Sequence, residues 1–403
     1  MNERPVFRPA GRVRIMVPDR WRMLSVLFLA RTGMAYQFQT VPSDGPFLVE
    51  HLGIGFAQLG SLIGLYMLPG ILLALPGGML AQRFGAQRVV LSGLALMVLG
   101  GALMGLDSVT LVFAGRLISG LGAVFINVLM TKMVTDWFAG REIVAAMALF
   151  VASWPLGIAL GLLSFPPLAA AHGWPVVMQV GAGVVAVSLA IVWLVYRPPP
   201  DAPAEFGHGL QIDLSRREWL LISLAGFIWG VFNAGYVILI SFLPELFVQR
   251  GYSLPDASRV VSVLAWAVIV TVPLAGYLAE HIRRPNLMMI GGFVTVAAGA
   301  AALSTAAAPM TPFVIVALMI GLPAGLIMAL PAQALRPENR SIGMGVFYTW
   351  HFAAMAVLPV LAGTARDLSA NAAAPSLFAA VTMVAAALAL IAFRIAQARV
   401  KDA

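Results

Sequence analysis

Long apolar segments recur along the whole 403-residue chain and constrain its fold more than any other feature. A helix needs about 20 consecutive apolar residues to cross the hydrocarbon layer of a membrane. The sequence therefore predicts an all-α membrane protein with twelve transmembrane helices. The predicted spans lie at about residues 22–48, 55–81, 88–106, 109–135, 142–170, 174–196, 217–247, 256–281, 286–306, 311–335, 341–366 and 374–397.

The composition excludes most enzyme classes. Hydrophobic residues make up 61% of the chain and charged residues only 10%, whereas about a quarter of the residues in a soluble protein are charged. The absence of cysteine excludes disulfides, thiolate catalysis and cysteine-ligated metals. The motifs His-Glu-x-x-His and Gly-x-Ser-x-Gly do not occur either. We predict no enzymatic activity, no cofactor and no metal site.

The basic residues predict the orientation. The net charge is +8, but Lys and Arg lie at the ends of apolar segments, so we expect no nucleic-acid partner. With the N-terminus in the cytoplasm, twenty of the 25 Lys and Arg fall inside and three outside, while two lie within spans. This asymmetry follows the positive-inside rule and predicts that both termini are cytoplasmic. Residues 1–20 lack the apolar core of a secretory signal, so we expect the first span to be retained.

A polar, proline-rich interval divides the chain into two similar parts. The sequence beginning at Gly120 resembles that beginning at Gly321, and each runs into a short basic loop. A duplication of six helices explains this similarity. We expect a basic cytoplasmic tail at 1–20, a six-helix half at 21–196, a linker at 197–216, a second six-helix half at 217–398 and a short tail at 399–403.

Two short motifs indicate a family. Span four contains Arg-x-x-x-Gly-x-Gly as Arg116, Gly120 and Gly122. The loop after span two carries Gly78, Leu80, Gln82, Arg83, Gly85 and Arg88.

With twelve spans and a central linker, these motifs resemble the major facilitator superfamily, and the resemblance covers nearly the whole chain. That family usually has Asp where this chain has Gln82, while Glu280 keeps an acid at the matching place in the second half. The resemblance implies that these loop residues serve conformational change, in a multi-pass protein of the bacterial inner membrane. More narrowly, the chain is similar to the cyanate and 2-nitroimidazole permeases and, more loosely, to nitrate and organic-anion carriers.

Two arginines are the main candidates for substrate binding. Arg31 and Arg116 lie roughly 15 and 13 Å deep by helical rise, so we expect their guanidinium groups to share a depth. No Asp or Glu occupies the central third of any span, and an uncompensated arginine at mid-membrane is costly. Either an anionic substrate balances these charges, or each arginine bonds backbone carbonyls where Pro or Gly interrupts a helix. We favour the first alternative.

Further polar residues within spans are candidates for the same cavity. His351 is the only histidine placed inside a span, so it is the candidate for proton coupling, with a neutral hydrogen-bonded role as the alternative. Packing is an equally simple explanation for the aromatic members of this set. The remaining candidates are Tyr36, Gln37, Asn127, Trp154, Asn233, Tyr236 and Tyr348.

These observations predict a secondary active or facilitative transporter of a small inorganic or organic anion. In alternating access, the two halves would move about a central site. The mode of transport would be symport, with a proton as one candidate partner, or exchange. The alternative is a proton-driven exporter of amphipathic compounds, because 20 Met and 22 Phe could form an adaptable apolar cavity. We expect the protein to be monomeric in the lipid bilayer.

Overall fold

The computed structural model describes residues 19–138, 142–199, 214–305, 308–336 and 339–399, which form sixteen α-helices. The first eight, which we call the first half, are α1 (Asp19–Ser43), α2 (Gly45–Leu52), α3 (Phe56–Leu65), α4 (Pro69–Phe84), α5 (Ala86–Met104), α6 (Val109–Phe138), α7 (Ile143–His172) and α8 (Trp174–Val195). The last eight, the second half, are α9 (Arg216–Val248), α10 (Leu254–Ile282), α11 (Pro285–Thr305), α12 (Met310–Met319), α13 (Gly321–Ile327), α14 (Leu330–Ala334), α15 (Arg340–Ser369) and α16 (Ala374–Arg399).

The helices confirm the predicted all-α membrane fold. Eleven spans in the described part of the chain are long and apolar enough to cross a membrane. Helix α1 is not among these eleven, because arginines and glutamines dilute its apolar residues. It is nevertheless 25 residues long and mostly buried, and it corresponds to the first predicted span, 22–48.

Prolines within the predicted spans have two different outcomes. Pro155 and Pro273 lie inside the continuous helices α7 and α10. In contrast, Pro69 begins α4 after a break in the second predicted span, and Pro323 lies in α13 after a break in the tenth. A proline cannot donate to the carbonyl four residues earlier, and the neighbouring helices determine whether the chain bends or breaks there.

Each half packs mainly on itself. In the first half, α1 packs against α7 and α8, and α5 packs against α6. In the second half, α9 packs against α15 and α16, and α10 packs against α13. The two halves meet where α3 contacts α15 and where α7 contacts α10. We call the end of the bundle with the loops predicted to be external the outer end, and the opposite end the inner end.

The outer part of the interface between the halves is closed. Gly60 and Gly64 on α3 lie so close to α15 that an added Cβ would come within 2.2 Å of the carbonyl oxygens of Pro359 and Ala356. Only glycine permits this approach of two helix backbones, as in other small-residue helix contacts within membranes. The two halves therefore touch through their backbones on this side of the bundle.

Candidate functional site

Arg31 lies on α1 with a guanidinium group that is surrounded by neutral acceptors. Its Nη1 donates to the Phe150 carbonyl oxygen at 3.0 Å, and the Ser153 hydroxyl lies 3.2 Å away. Its Nη2 donates to Oδ1 of Asn127 on α6 at 3.3 Å. The buried Nε atom has no hydrogen-bond partner. No carboxylate among the described residues pairs with this cation.

A proline creates one acceptor for Arg31. Nη1 also lies 3.3 Å from the carbonyl oxygen of Val151. In a helix this oxygen would accept from the residue four positions later, which here is Pro155. The proline has no N–H, so the Val151 carbonyl is free to face the guanidinium group. The α7 sequence thus supplies uncharged hydrogen-bond acceptors to the arginine. The ring of Phe150 lies 4.8 Å from the Cζ of Arg31.

Across the interface, an aromatic cluster of the second half faces Arg31. Tyr348 on α15 lies near Arg31. Its ring lies 6.2 Å from that of His351, which in turn lies 6.0 Å from the ring of Trp229 on α9. The structure therefore brings the predicted residues Arg31, Asn127, Tyr348 and His351 together. We call these residues, with Ser153 and Trp229, the central cluster.

His351 is the histidine of the central cluster. It is buried, and its Nδ1 atom has no hydrogen-bond partner. Its neighbours are mainly aromatic rings, including Phe352 at 5.3 Å. The hydrogen bond to a neighbouring helix that the alternative interpretation required is not seen at Nδ1.

Arg116 has a different environment. Its side chain is fully buried in the first half. Nε donates to the Leu62 carbonyl oxygen at 2.8 Å, and Nη2 donates to that of Phe38 at 2.9 Å. The rings of Phe38 and Tyr66 lie 5.1 and 4.5 Å from its Cζ. Backbone carbonyls hold this arginine, as in the second of the two arrangements considered above, and its buried Nη1 atom has no partner.

Helix interruptions explain why these carbonyls are available. The residue four positions after Phe38 is Pro42, which has no N–H to donate. The residue four positions after Leu62 is Tyr66, at the break between α3 and α4, and its N–H turns to Gly64 instead. Arg116 therefore satisfies two acceptors that the irregular backbone leaves open.

The expectation that the two guanidinium groups share a depth is wrong. Arg31 bonds Asn127, which follows Arg116 by eleven residues on the same helix, or roughly 16 Å of helical rise. Side chains on a helix lean toward its N-terminus. Because α1 and α6 run in opposite directions, Arg31 leans toward the inner end and Arg116 toward the outer end.

Three predicted residues of the first half lie outside the central cluster. Tyr36 contacts the Ser164 hydroxyl at 2.8 Å. Gln37 is buried and donates to the Met97 carbonyl oxygen at 2.8 Å, so it points into the first half and away from the interface. Trp154 is half-buried against Phe38, with ring centroids 5.3 Å apart.

Two predicted residues of α9 make no described contact with Arg31. Asn233 donates back to the Trp229 carbonyl oxygen of its own helix at 2.8 Å. Tyr236 is buried, and its hydroxyl has no partner. Trp229, four residues before Asn233 on the same helix, is the α9 residue whose ring lies beside His351 in the cluster.

The predicted conformational motif lies at the inner end. The side chains of Gly78 and Gln82 are outside the described set. Gly85 has a φ of +86°, which glycine adopts without strain, and it precedes α5. The side chains of Arg83, Arg88 and Glu280 are exposed, and no ion pair of Glu280 is seen in the described part of the chain. The basic tail and most of the linker also lie outside the described residues.

A polar contact at the outer end was not anticipated from the sequence. Asp367 on α15 accepts hydrogen bonds from the backbone N–H groups of Phe56 and Ala57, at 3.0 and 2.8 Å. These are unpaired donors at the start of α3, where a negative charge is favourable. Beside them, Arg366 pairs with Glu245 on α9 at 2.6 Å. In the part of the chain that the structure describes, the hydrogen bonds between the two halves lie at this outer contact.

Curated proteins similar in sequence include transporters from several organisms. The chain is 25% identical over 293 residues to "Probable anion transporter 7" of rice, which covers 66% of this chain and 65% of the relative. It is 28% identical over 236 residues to the human "Choline/ethanolamine transporter FLVCR2", covering 55% and 44%. It is 29% identical over 254 residues to the "3-(3-hydroxy-phenyl)propionate transporter" of Escherichia coli, covering 60% of each. The match thus spans less than two thirds of each of these relatives.

Solved structures show the same fold over nearly the whole chain. A bacterial homologue of the human lysosomal transporter Spinster, in an inward-facing and unoccupied conformation, superposes with a TM-score of 0.73 at 16% identity. That superposition covers 94% of this chain and 96% of the other. The sequence profile of the Major Facilitator Superfamily matches residues 24–359 and 233–401. The chain therefore belongs to the Major Facilitator Superfamily.

Proposed function

We propose that this protein is a secondary active or facilitative transporter of a small inorganic or organic anion. The observation that carries the proposal is the unbalanced charge of Arg31 within the interface between the two halves. All its hydrogen-bond acceptors are neutral, and its Nε atom has no partner. A carboxylate or another planar anion matches the geometry of a guanidinium group and would supply the missing charge.

The names of relatives support this substrate class. They include anion transporters and a transporter of a hydroxyphenylpropionate, which carries a carboxylate. The narrower resemblance to cyanate and nitroimidazole permeases would favour small planar substrates. For the choline transporter named among the relatives, the substrate is a cation, which Arg31 would repel.

We further propose alternating access as the transport mechanism. The outer end is closed by backbone contact and by Asp367, so the opposite state requires α3 and α15 to separate there. Binding of an anion between Arg31 and Tyr348 would balance the charge while the site is shielded from water. We propose that the membrane is the bacterial inner membrane and, from the distribution of basic residues, that both termini are cytoplasmic. His351 remains the candidate for carrying a coupled proton within the central cluster.

In this proposal, Arg116 has an architectural role rather than direct contact with the substrate. Its guanidinium group is fully buried and already bonds two carbonyls at the interruptions of α1 and α3. It would hold these two helices together while the halves move.

The second candidate function is export of amphipathic compounds. The aromatic rings of Trp229, Phe347, Tyr348 and Phe352 lie next to one another opposite Arg31 and could receive an apolar ligand. Such a ligand would leave the Arg31 charge unbalanced, so we rank this function second.

Ligand-induced thermal stabilisation of the purified protein tests the proposal. The probes are nitrate, cyanate, benzoate and glucarate, with choline and neutral benzamide as the cationic and uncharged comparisons. We expect at least one anion to raise the unfolding temperature of the wild type in a saturable manner. Arg31→Gln should abolish this shift, whereas Arg284→Gln, at an exposed arginine of the inner end, should retain it. Equal stabilisation of Arg31→Gln, or stabilisation by choline or benzamide alone, would contradict it.

A further inference from the structure

A carboxyl group without partners is buried at the outer end of the first half. Asp44 lies in the turn between α1 and α2, and its side chain is fully inaccessible to solvent. Neither carboxyl oxygen has a hydrogen-bond partner. Its backbone carbonyl accepts from Leu48 in the first turn of α2, but its side chain does not cap that helix. Asp44 is thus positioned by its main chain, and its carboxyl group is left unpaired.

The groups around Asp44 supply no positive charge. The titratable side chain with which it interacts is Tyr36 on α1, whose hydroxyl already contacts Ser164. On α2, Glu50 and His51 are exposed to solvent. On α3, which packs against α2, Leu59 lies beside the neighbouring Gly45.

In the described part of the second half, no cation pairs with Asp44 either, and Arg250 beyond α9 donates to the Leu303 carbonyl oxygen. Helix α9 packs against α1 and α2, and its carboxylate Glu245 pairs with Arg366 of α15. Asp367, next to Arg366, is bonded to the start of α3. The charges of the outer contact therefore neutralise one another or the helix terminus.

Other polar atoms on α1 near Asp44 are unpaired as well. Both side-chain polar atoms of Gln39 and the hydroxyl of Ser43 are buried without partners. Gln39 and Ser43 are four residues apart and share a face of α1. An ionised carboxylate buried beside neutral groups is strongly disfavoured, whereas the protonated acid is tolerated.

We propose that Asp44 is a proton-binding site of the outer gate: it holds a proton while the outer end is closed and releases it outward when that end opens. Helix α9 of the second half packs against α1 and α2, the helices that flank Asp44. Separation of the halves would admit water to the carboxyl group and favour its ionised form. The inference rests on the proposed alternation between states, but not on the identity of the transported anion.

The sign of the pH dependence follows from this difference. The closed state binds one proton more than the open state, so a low external pH favours closure. As the external pH rises, the closed state loses stability relative to the open state. For one proton, the equilibrium between the states changes by at most about tenfold for each pH unit.

Because the chain contains no cysteine, a single introduced thiol can report whether the outer end is open. Val360→Cys, on α15 beside Gly60, introduces a single thiol at the closed contact. Its reaction with a membrane-impermeant maleimide, added outside at several pH values, reports opening of the outer end. Leu368→Cys, at a position that is 85% exposed, corrects for the effect of pH on the thiol itself. The same measurement is made with Asp44→Asn, which cannot ionise, and with Asp44→Ser in case the first variant does not fold.

We expect corrected labelling of Val360→Cys to rise with external pH and to stay low at every pH when Asp44 is neutralised. A flat profile in the presence of Asp44, or the same rising profile without it, would overturn the inference and leave anion transport untouched. No labelling of Val360→Cys under any condition would overturn the proposed alternation as well. A response to replacing Na⁺ with choline at constant pH, lost with Asp44→Asn, would contradict the assignment to a proton.

Discussion

At the scale of single residues, two arginines of the first half differ because of where helices are interrupted. The carbonyls released by Pro42 and by the break at Tyr66 accept from two nitrogens of Arg116, which is buried within the first half. Arg31 also receives a released carbonyl, at Val151, but it faces the second half. We therefore propose that the same chemical group stabilises the fold at Arg116 and binds a ligand at Arg31.

This difference predicts opposite effects on stability and ligand binding. Arg116→Ala removes the donors of two backbone carbonyls and leaves a cavity, so it should lower the free energy of unfolding by at least about 2 kcal/mol. Arg31→Ala should have a smaller effect, because the residue is only partly buried. Thermal unfolding of the two purified variants in detergent measures this difference. An Arg116→Ala protein that unfolds at the wild-type temperature would show that these hydrogen bonds contribute little.

At the scale of elements, the packing of α3 on α15 controls the outer end. Gly60 and Gly64 form a small-residue pair four positions apart, and both meet backbone atoms of α15. Asp367 reinforces this contact by capping α3 from the other half. The motif and the cap together favour the closed state.

Gly64→Ala should therefore shift the protein toward the state that is open at the outer end. The new methyl group would lie 2.2 Å from the Ala356 carbonyl oxygen, and overpacking of this kind costs about 1–3 kcal/mol. We expect the fraction of closed molecules to fall, by on the order of tenfold relative to open molecules. Spin labels at His51 and Leu368, exposed on opposite halves, would report a longer distance.

The control for this change is Gly291→Ala on α11, where an added Cβ meets no atom within 4 Å. It should leave the distance distribution of the spin labels unchanged. The interpretation of the contact fails if Gly64→Ala gives the wild-type distribution.

At the scale of the whole molecule, the distribution of basic residues predicts the orientation in the membrane. Single cysteines in the otherwise cysteine-free chain can test it. Leu368→Cys should react with an impermeant maleimide added to intact cells. Arg284→Cys, in the basic loop between α10 and α11, should react only after the membrane is permeabilised. The reverse pattern would mean that the protein is inserted in the opposite direction.

Much of the fold could be predicted from the sequence because membrane crossing imposes a length and a composition on each helix. Hydropathy does not show that the helices of spans two and ten are interrupted. Pro69 and Pro323 accompany these breaks, whereas Pro155 and Pro273 lie inside continuous helices. The similarity of the segments at Gly120 and Gly321 likewise does not extend to helix continuity. The first lies in the unbroken α6, and the second begins α13.

The residues of the candidate site could be predicted from the sequence only in part. Residue type identified Arg31, Tyr348 and His351, because charged and polar groups within a span need partners. The direction of each side chain could not be read from the sequence, so Gln37 proved to face the interior of the first half. The spacing of Pro42 from Phe38 was a usable signal for the carbonyl that binds Arg116. Asp367 had no such signal, because its partner is the backbone of a distant helix.

Counterflow of a radiolabelled anion in proteoliposomes tests the central claim, the need for the Arg31 charge, most directly. The anion is whichever probe stabilises the purified wild type, and reconstituted amounts of each variant are matched. We predict that Arg31→Gln lowers the initial rate at least about tenfold, because one charge-assisted contact is worth more than 1.4 kcal/mol. Arg284→Gln should transport at the wild-type rate. Undiminished counterflow by Arg31→Gln would contradict the account.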